Sequence, residues 1–216
     1  LVLGVMAAQL PDQVRQLLTI AADNTTRLIA MINDLLDIEK IESGRMEFHM
    51  EPVDLVAVVT ASLEENRHYA VDNGVAFRLL SSPDRCPIVA DRTRLAQVLA
   101  NLLSNAAKFS PRDGTVEVTV EGGDAWARVS VRDHGPGVPE TFRSRIFQKF
   151  AQGDSSDTRK RGGTGLGLAI AKQIVQHFGG TIDYRPADGG GTVFFFELPL
   201  GPKEDDAHEP PTHPRG

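Results

Sequence analysis

The sequence predicts an α+β fold, a sandwich in which helices cover one face of a mixed sheet, preceded by a long helix of different character. Three observations predict it. Residues 116–120 and 127–131 place valine or alanine at every second position, and Gly122-Gly123-Asp124 joins the two runs, as in a hairpin with one buried face. Leu95, Val98, Leu99, Leu102 and Ala106, and later Leu166, Ile170 and Ile174, recur at helical spacing, so helices are interleaved with strands. Leu17, Ala21, Asn24, Leu28, Met31, Leu35 and Ile38 step alternately by four and three, the period of a coiled-coil seam.

In chain order, residues 1–10 read as the end of one helix and a turn. Pro11 and Asp12 open the long helix, which runs to about Ser43 and stops at Gly44. Ile20, Ile29, Ile32 and Leu36 widen its apolar stripe, so it belongs in a bundle, either an ordinary helical hairpin or half of a dimeric four-helix bundle. Met46, Phe48 and Met50 alternate with Glu47, His49 and Glu51 and predict a half-buried strand. Asp54 caps a helix from Leu55 to about Asn73, closed by Gly74. Short strands are expected over 75–80 and 88–90, and Asp91 caps the helix that carries Leu95 to Ala106. After the hairpin, Phe147 and Phe150 anchor a lid against the core or residues 140–151 form a short amphipathic helix, or both; a helix over 166–178 follows, stopped by Gly179-Gly180. A last hairpin joins 181–185 to 193–198 across Asp188-Gly189-Gly190-Gly191. Three domains follow: 1–44 as a partial helical hairpin, 45–200 as the globular domain, and 201–216 as a disordered tail. That tail holds several prolines, many acidic residues and two solvated histidines, His208 and His213.

Composition excludes several classes. Net charge is −6, which argues against a non-specific nucleic-acid surface. The single cysteine, Cys86, forms no internal disulfide and fits a reducing cytoplasm, with a buried structural thiol as its plain role. No apolar run reaches the ~20 residues that span a bilayer, and residues 1–6 lack the basic leader of a signal peptide. Leu1 stands where a methionine would begin a chain, so a longer protein is expected, with any membrane attachment outside these residues.

The chemistry gathers in four places. Asn101, Asn105 and Lys108, spaced i, i+4, i+7, share one helix face opposite the apolar stripe. They form either a solvated polar face or neutral oxygens for magnesium with a cation for phosphate. Asp133 continues the inward phase of Ala127, Val129 and Val131, so its carboxylate points to the buried side, where it needs a partner such as the exocyclic amine of adenine, unless the strand simply ends in an Asp-containing turn. Gly135 and Gly137 then let the backbone turn and approach a ligand closely. Gly163-Thr164-Gly165-Leu166-Gly167-Leu168 leads into a helix whose free amides and dipole make an anion site, unless it is only a hinge. It lacks the Gly-Lys-Ser/Thr ending of a Walker loop. Between the two glycine segments lie Phe147 and Phe150, then a polar stretch, residues 153–162, with Arg159, Lys160 and Arg161. It reads as a lid or a surface loop.

Taken together these segments resemble the ATP-binding catalytic domain of sensor histidine kinases of two-component systems. Residues 101–110 look like the family's asparagine box, 133–137 like its first glycine box, 147–150 like its phenylalanine box, 163–168 like its second glycine box, and Gly189 to Phe194 like its closing glycine-rich element. Residues 27–44 resemble the second helix of its dimerisation bundle. The resemblance implies the Bergerat-type nucleotide fold shared with gyrase, the mismatch-repair protein MutL and a heat-shock chaperone. It implies ATP and magnesium as cofactors, a homodimer formed through the bundle, and a response-regulator receiver domain as partner. It implies that Asp133, with Thr192 nearby, binds the adenine amino group. Asn105 would hold magnesium, Asn101 would support the polyphosphate, and Lys108 would contact phosphate. Asn101 and Lys108 would serve the transfer itself. Gly135, Gly137, Gly163, Gly165 and Gly167 would shape the pocket and lid, and Phe147, Phe150, Thr164, Leu166 and Leu168 would complete the nucleotide-binding set. Where the related ATPases carry a water-activating glutamate, this chain has Asn101, which favours transfer to a protein over hydrolysis.

One feature departs from the family. Its acceptor histidine lies in the first bundle helix beside an acidic residue. None of His49, His68, His134, His177, His208 and His213 has that setting, and His134 reads as a pocket-rim residue. The acceptor is expected shortly before Leu1, so these residues are expected not to phosphorylate themselves. A degenerate nucleotide-binding interaction module is the alternative reading.

Overall fold

The computed structural model describes residues 11–151 and 164–201, without the side chains of Asp23 and Arg27. Residues 1–10, the stretch 152–163 with Gly163 and the basic trio, and the tail beyond Gly201 lie outside the described residues. The chain divides into two compact units, Leu1–Met46 and Glu47–Gly216.

In the first unit, helix α1 spans Asp12–Glu42, and Gly44 follows at φ +65°. Most of its stripe stands open, with Leu17 67% exposed, Leu28 59% and Leu35 50%, while Ile38 near its end is buried. Leucines cost free energy in water, so an uncovered stripe of this length marks an interaction face.

The second unit holds β1 (Glu51–Asp54), α2 (Leu55–Glu65), α3 (Arg67–Asn73), β2 (Ala76–Ser81), β3 (Pro87–Ala90), α4 (Arg92–Phe109), β4 (Thr115–Gly122), β5 (Trp126–Arg132), α5 (Gly167–His177), β6 (Thr181–Pro186) and β7 (Thr192–Pro199). The main sheet runs β2-β4-β5-β7-β6. Only β2 and β4 pair in parallel; the other pairs are antiparallel, so the sheet is mixed. Its inner face carries Val116, Val118, Val120, Ala127, Val129, Val131, Phe196 and Leu198, all buried. Leu95, Val98, Leu99 and Leu102 of α4, with Ile170 and Ile174 of α5, close the core from the helix side. Burial of such side chains, at about 1.5–3 kcal/mol each, holds the two layers together.

Three expected elements differ. Residues 45–50 belong to no strand; the ladder starts at Glu51, against Ala90. The partner strand ends there because Asp91 turns the chain into α4, and Asp91 Oδ2 takes the His49 amide at 3.0 Å. The helix expected over 55–73 breaks at Asn66, which leaves helical geometry (φ −94°, ψ 10°) while its backbone amide at 3.0 Å and its side-chain amide at 2.8 Å both donate to the Ser62 carbonyl. The helix expected over 140–151 is only a 3-10 turn, Glu140–Arg145, with no buried residue to anchor it.

Two aspartates cap their helices as the sequence implies. Asp54 Oδ1 accepts from the Val56 and Cys86 amides, and Asp91 Oδ1 accepts from the Arg94 amide at 3.0 Å. Burial pushes the Asp91 carboxyl up, but the His49, Arg94 and Thr93 amides and the Arg94 charge outweigh it, so its pKa lies below the ordinary value. A depressed carboxylate stabilises the fold above its unfolded pKa and loses that contribution as pH falls through the folded one. Asp91→Ala is therefore expected to cost about 1–2 kcal/mol at neutral pH, with the deficit shrinking in acid. Urea denaturation at a series of pH values checks both the size and the trend.

Candidate functional site

The inward phase of β5 carries on into residue 133. Asp133 is 3% exposed, and its Oδ1 accepts the Gly135 amide at 2.8 Å and the Thr192 amide at 3.2 Å. Its own amide donates to the Thr192 carbonyl at 2.9 Å, which ties the end of β5 to the start of β7. Burial raises the carboxyl's pKa above the ordinary value; the Gly135 and Thr192 amides, the Thr192 hydroxyl and His134 oppose this without cancelling it. A carboxylate held at net desolvation cost marks a position kept for chemistry or binding.

Glycines make room around it. A Cβ on Gly135 would lie 2.5 Å from the Phe109 carbonyl oxygen at the end of α4. A Cβ on Gly191 would overlap the carbonyl oxygen of Asp133, and Gly191 has φ +92°. Gly137, at φ +81°, faces the Gly191 carbonyl. Gly137, Val138, Arg143, Tyr184, Gly191 and Thr192 are among the residues lining an adjoining cavity of about 210 Å³.

On α4, Asn101, Asn105 and Lys108 are each half-buried, flanked by the buried Leu102, Leu103, Ala106 and Ala107 rather than standing clear in solvent. The Asn105 amide nitrogen donates to the Asn101 carbonyl at 2.9 Å, so its Oδ1 is turned away from the helix backbone. Lys108 Nζ sits 5.0 Å over the Phe109 ring. Asn101 reaches α5, since a Cβ on Gly167 would lie 2.8 Å from Asn101 Oδ1. The amide-bearing helix and the glycine-started helix therefore meet at this point.

At the entry to α5, Thr164 Oγ1 accepts the Leu166 amide at 3.1 Å. Gly165, at φ +72°, abuts Phe150 and Ala151. The chain thus leaves this region at Ala151 and returns at Thr164 side by side. Leu166 is fully buried and Leu168 half-buried. Leu166 therefore fills the core, although the sequence places it in the nucleotide-binding set. Phe147 turns to the sheet edge, with its ring centroid 6.5 Å from those of Tyr184 and Phe194 and Lys172 Nζ 5.7 Å above it. Phe150 is 58% exposed at φ +59°. His134 turns to Glu117, with Nε2 3.4 Å from Oε1.

Phe109, Gly135, Asp133, Gly191 and Thr192 form one run of neighbours, and Asn101 with Gly167 forms a second contact earlier along α4; Phe150 abuts Gly165, and Phe147 packs beside Tyr184 and Phe194. Sequence reasoning missed the bearing of Gly191 on Asp133 and the roles of Val138, Arg143 and Tyr184 in the adjoining cavity. No local pattern marked them, because β6, β7 and the 3-10 turn come together only in the folded chain.

Among the described residues no group of three or more His, Cys, Asp or Glu side chains could hold a metal, and no helix is long and apolar enough to cross a membrane. A magnesium bound here would rely on neutral oxygens such as Asn105 Oδ1 and on the ligand's own phosphates, which fits a hard ion that keeps much of its water.

Comparison with known proteins gives the same assignment at three levels. Residues 90–202 match the family described as histidine kinase-, DNA gyrase B-, and HSP90-like ATPase. Hybrid signal transduction histidine kinase D of Dictyostelium discoideum is 35% identical over 198 residues, 89% of this chain and 13% of that protein. Sensor histidine kinase WalK of Bacillus subtilis is 35% identical over 198 residues, 90% of this chain and 32% of its own length. The chain thus spans about a third or less of these curated relatives. Full-length ShkA, crystallised in complex with AMPPNP, superposes with a TM-score of 0.74 at 32% identity, covering 88% of this chain and 40% of that one. The mycobacterial sensor histidine kinase MprB gives 0.61 at 33% identity over 72% of this chain and all of its own.

Proposed function

The chain belongs to the histidine kinase-, DNA gyrase B- and HSP90-like ATPase family, as the ATP-binding catalytic domain of a sensor histidine kinase. From that premise we propose that it binds ATP with magnesium and donates the γ-phosphate to a histidine on the dimerisation helices, for onward transfer to a response-regulator aspartate. The buried Asp133 carboxylate supports the reading most. One of its oxygens is taken by two backbone amides, and the carboxylate as a whole remains an acceptor for an exocyclic amine such as that of adenine. Thr192 orients it. Asn105 holds the magnesium through Oδ1, Asn101 supports the polyphosphate end, and Lys108 brings a cation to the phosphates. Magnesium, when bound, neutralises phosphate charge. Gly135 and Gly137 let the backbone close on the base, and Thr164, Gly165 and Gly167 face the phosphates at the start of α5. Asn101 offers no carboxylate to activate water, which favours transfer over hydrolysis.

The domain reading that accompanies this is 1–44 for the dimerisation hairpin, 45–200 for catalysis and 201–216 for a tail. The open leucines of α1 favour a second copy of the chain as the bundle partner. Sedimentation across a concentration series measures this, and a monomer throughout would overturn it. The reducing cytoplasm is the compartment in which a receiver domain would be met.

The kinase reading is tested by adding a separate bundle protein that bears the acceptor histidine, with γ-labelled ATP. Acid-labile label on the bundle is expected. Tight ATP binding with no transfer would reduce the chain to a nucleotide-binding module. Asn105→Ala is expected to remove the magnesium-dependent part of ATP affinity and leave binding in EDTA unchanged. Calorimetry with and without the metal checks it.

A further inference from the structure

Helices α4 and α5 carry the two sides of the site, and the same short segment holds both at the opposite end. Asn101 meets Gly167 at the first residue of α5. At the far end of the pair lie Asp91, which caps α4, and His177, the last residue of α5. From Arg92 to Asn101 α4 rises about 14 Å, and from Gly167 to His177 α5 rises about 15 Å. Asn101 meets Gly167 at one end and residues 48–49 join His177 to Asp91 at the other, so these two stretches of similar length run antiparallel. Residues 47–50, where the second unit begins, bridge the far ends. The Phe48 ring stacks on His177 with centroids 3.6 Å apart and planes 12° from parallel. It also meets Phe178 edge-on at 5.9 Å. The next residue, His49, gives its amide to Asp91 Oδ2 at 3.0 Å, while Asp91 Oδ1 accepts the Arg94 amide.

We propose that Phe48 and Asp91 are positioning residues for the nucleotide: this strap sets the axial register of α5 against α4, and with it the gap between the Asn101-Asn105-Lys108 face and the glycine start of α5. The inference rests on the nucleotide-site reading above. A helix pair slides as a rigid unit more readily than it bends. A contact that locks one end therefore sets the spacing at the other. Coupling of this kind is reciprocal: whatever moves the strap changes nucleotide affinity, and nucleotide binding moves the strap by the same free energy.

The full chain is titrated with magnesium-ATP by calorimetry, and the His177 ring is followed by 1H–13C spectroscopy. Removing the stack in Phe48→Ala is expected to raise the dissociation constant about 3- to 10-fold. Phe48→Leu keeps the apolar volume without a ring face and is expected to weaken binding in the same direction with the melting temperature close to wild type. Phe48→Tyr is expected to restore both affinity and the ring signal. Asp91→Ser retains an oxygen for the α4 cap but not a second one for His49, and is expected to behave as Phe48→Leu does. In the wild type, nucleotide should shift the His177 ring resonances although the ring lies about 15 Å along α5 from the site; in Phe48→Leu that shift should vanish. Unchanged affinity in folded Phe48→Leu and Asp91→Ser, or an unmoved His177 signal on saturation of the wild type, would overturn the inference while leaving the nucleotide site intact. A wild-type chain that binds no nucleotide would overturn both.

Discussion

Asp133→Asn is expected to raise the dissociation constant for magnesium-ATP by about 10- to 100-fold, the worth of a hydrogen bond to a charged group that is replaced by a clash of donors. The asparagine Oδ1 can still accept the Gly135 and Thr192 amides that Asp133 now accepts. Its amide NH₂, however, would face the exocyclic amine, donor against donor. Stability should move the other way. The Asp133 carboxyl titrates above its ordinary value because it is buried. Between the unfolded and folded pKa values the native state binds more protons, so stability of the unliganded wild type rises as pH falls through the raised value. Asparagine carries no charge to desolvate, so the variant should be at least as stable as wild type at neutral pH and lack that slope. Asp133→Ala should lose both properties, because it leaves two amides without an acceptor. Calorimetry with ATP and melting curves from pH 4 to 8 separate the three proteins. Wild-type ATP affinity in Asp133→Asn would remove Asp133 from the site.

Gly191→Ala is expected to be the most destabilising single change around the site, at about 3 kcal/mol or more. It combines backbone strain at positive φ, of order 1–2 kcal/mol, with a methyl driven into the Asp133 carbonyl oxygen. That oxygen is backbone and cannot swing aside, so β7 must part from the end of β5 to admit the methyl. Gly189→Ala is the control. Its φ is +82°, but nothing lies within 4 Å of the added carbon, so only the strain remains. Urea midpoints for the two variants should therefore differ, with Gly189→Ala about 1–2 kcal/mol below wild type. Equal midpoints would mean that the 187–191 turn yields freely and that Asp133 is not braced from behind.

Much of this architecture is legible from the phase of side chains. Strands β4 and β5 bury one face each, so every second residue reports the sheet, and the same phase carried one position further places Asp133 inside. The caps at Asp54 and Asp91 are local and so were readable. What escaped depends on partners distant in sequence. Residues 46–50 alternate as a strand should, but a strand needs a neighbour, and the neighbour ends at Ala90. The break at Asn66 is local by contrast, a single residue that leaves helical geometry with both of its amides on the Ser62 carbonyl. Phe147 and Phe150 read as part of a lid between the glycine segments, and nothing local tells that the Phe147 ring settles beside Tyr184 and Phe194, which arrive on the last hairpin. At the site, the residue types were readable and the bracing was not. Thr192, 59 positions beyond Asp133, supplies one of the two amides that hold its carboxylate.

The contact of Gly165 with Phe150 and Ala151 has a consequence for how this chain tolerates change. Two chain ends already in contact form a closed ring whatever connects them. The entropy of closing such a ring grows only with the logarithm of its length, by roughly 0.6 kcal/mol for each doubling. Residues added to or removed from the connection should therefore leave Gly167 and Asn101 where they are. The connection between Ala151 and Thr164 is the place where the chain can lengthen, shorten or be exchanged wholesale at little thermodynamic cost to the rest of the fold.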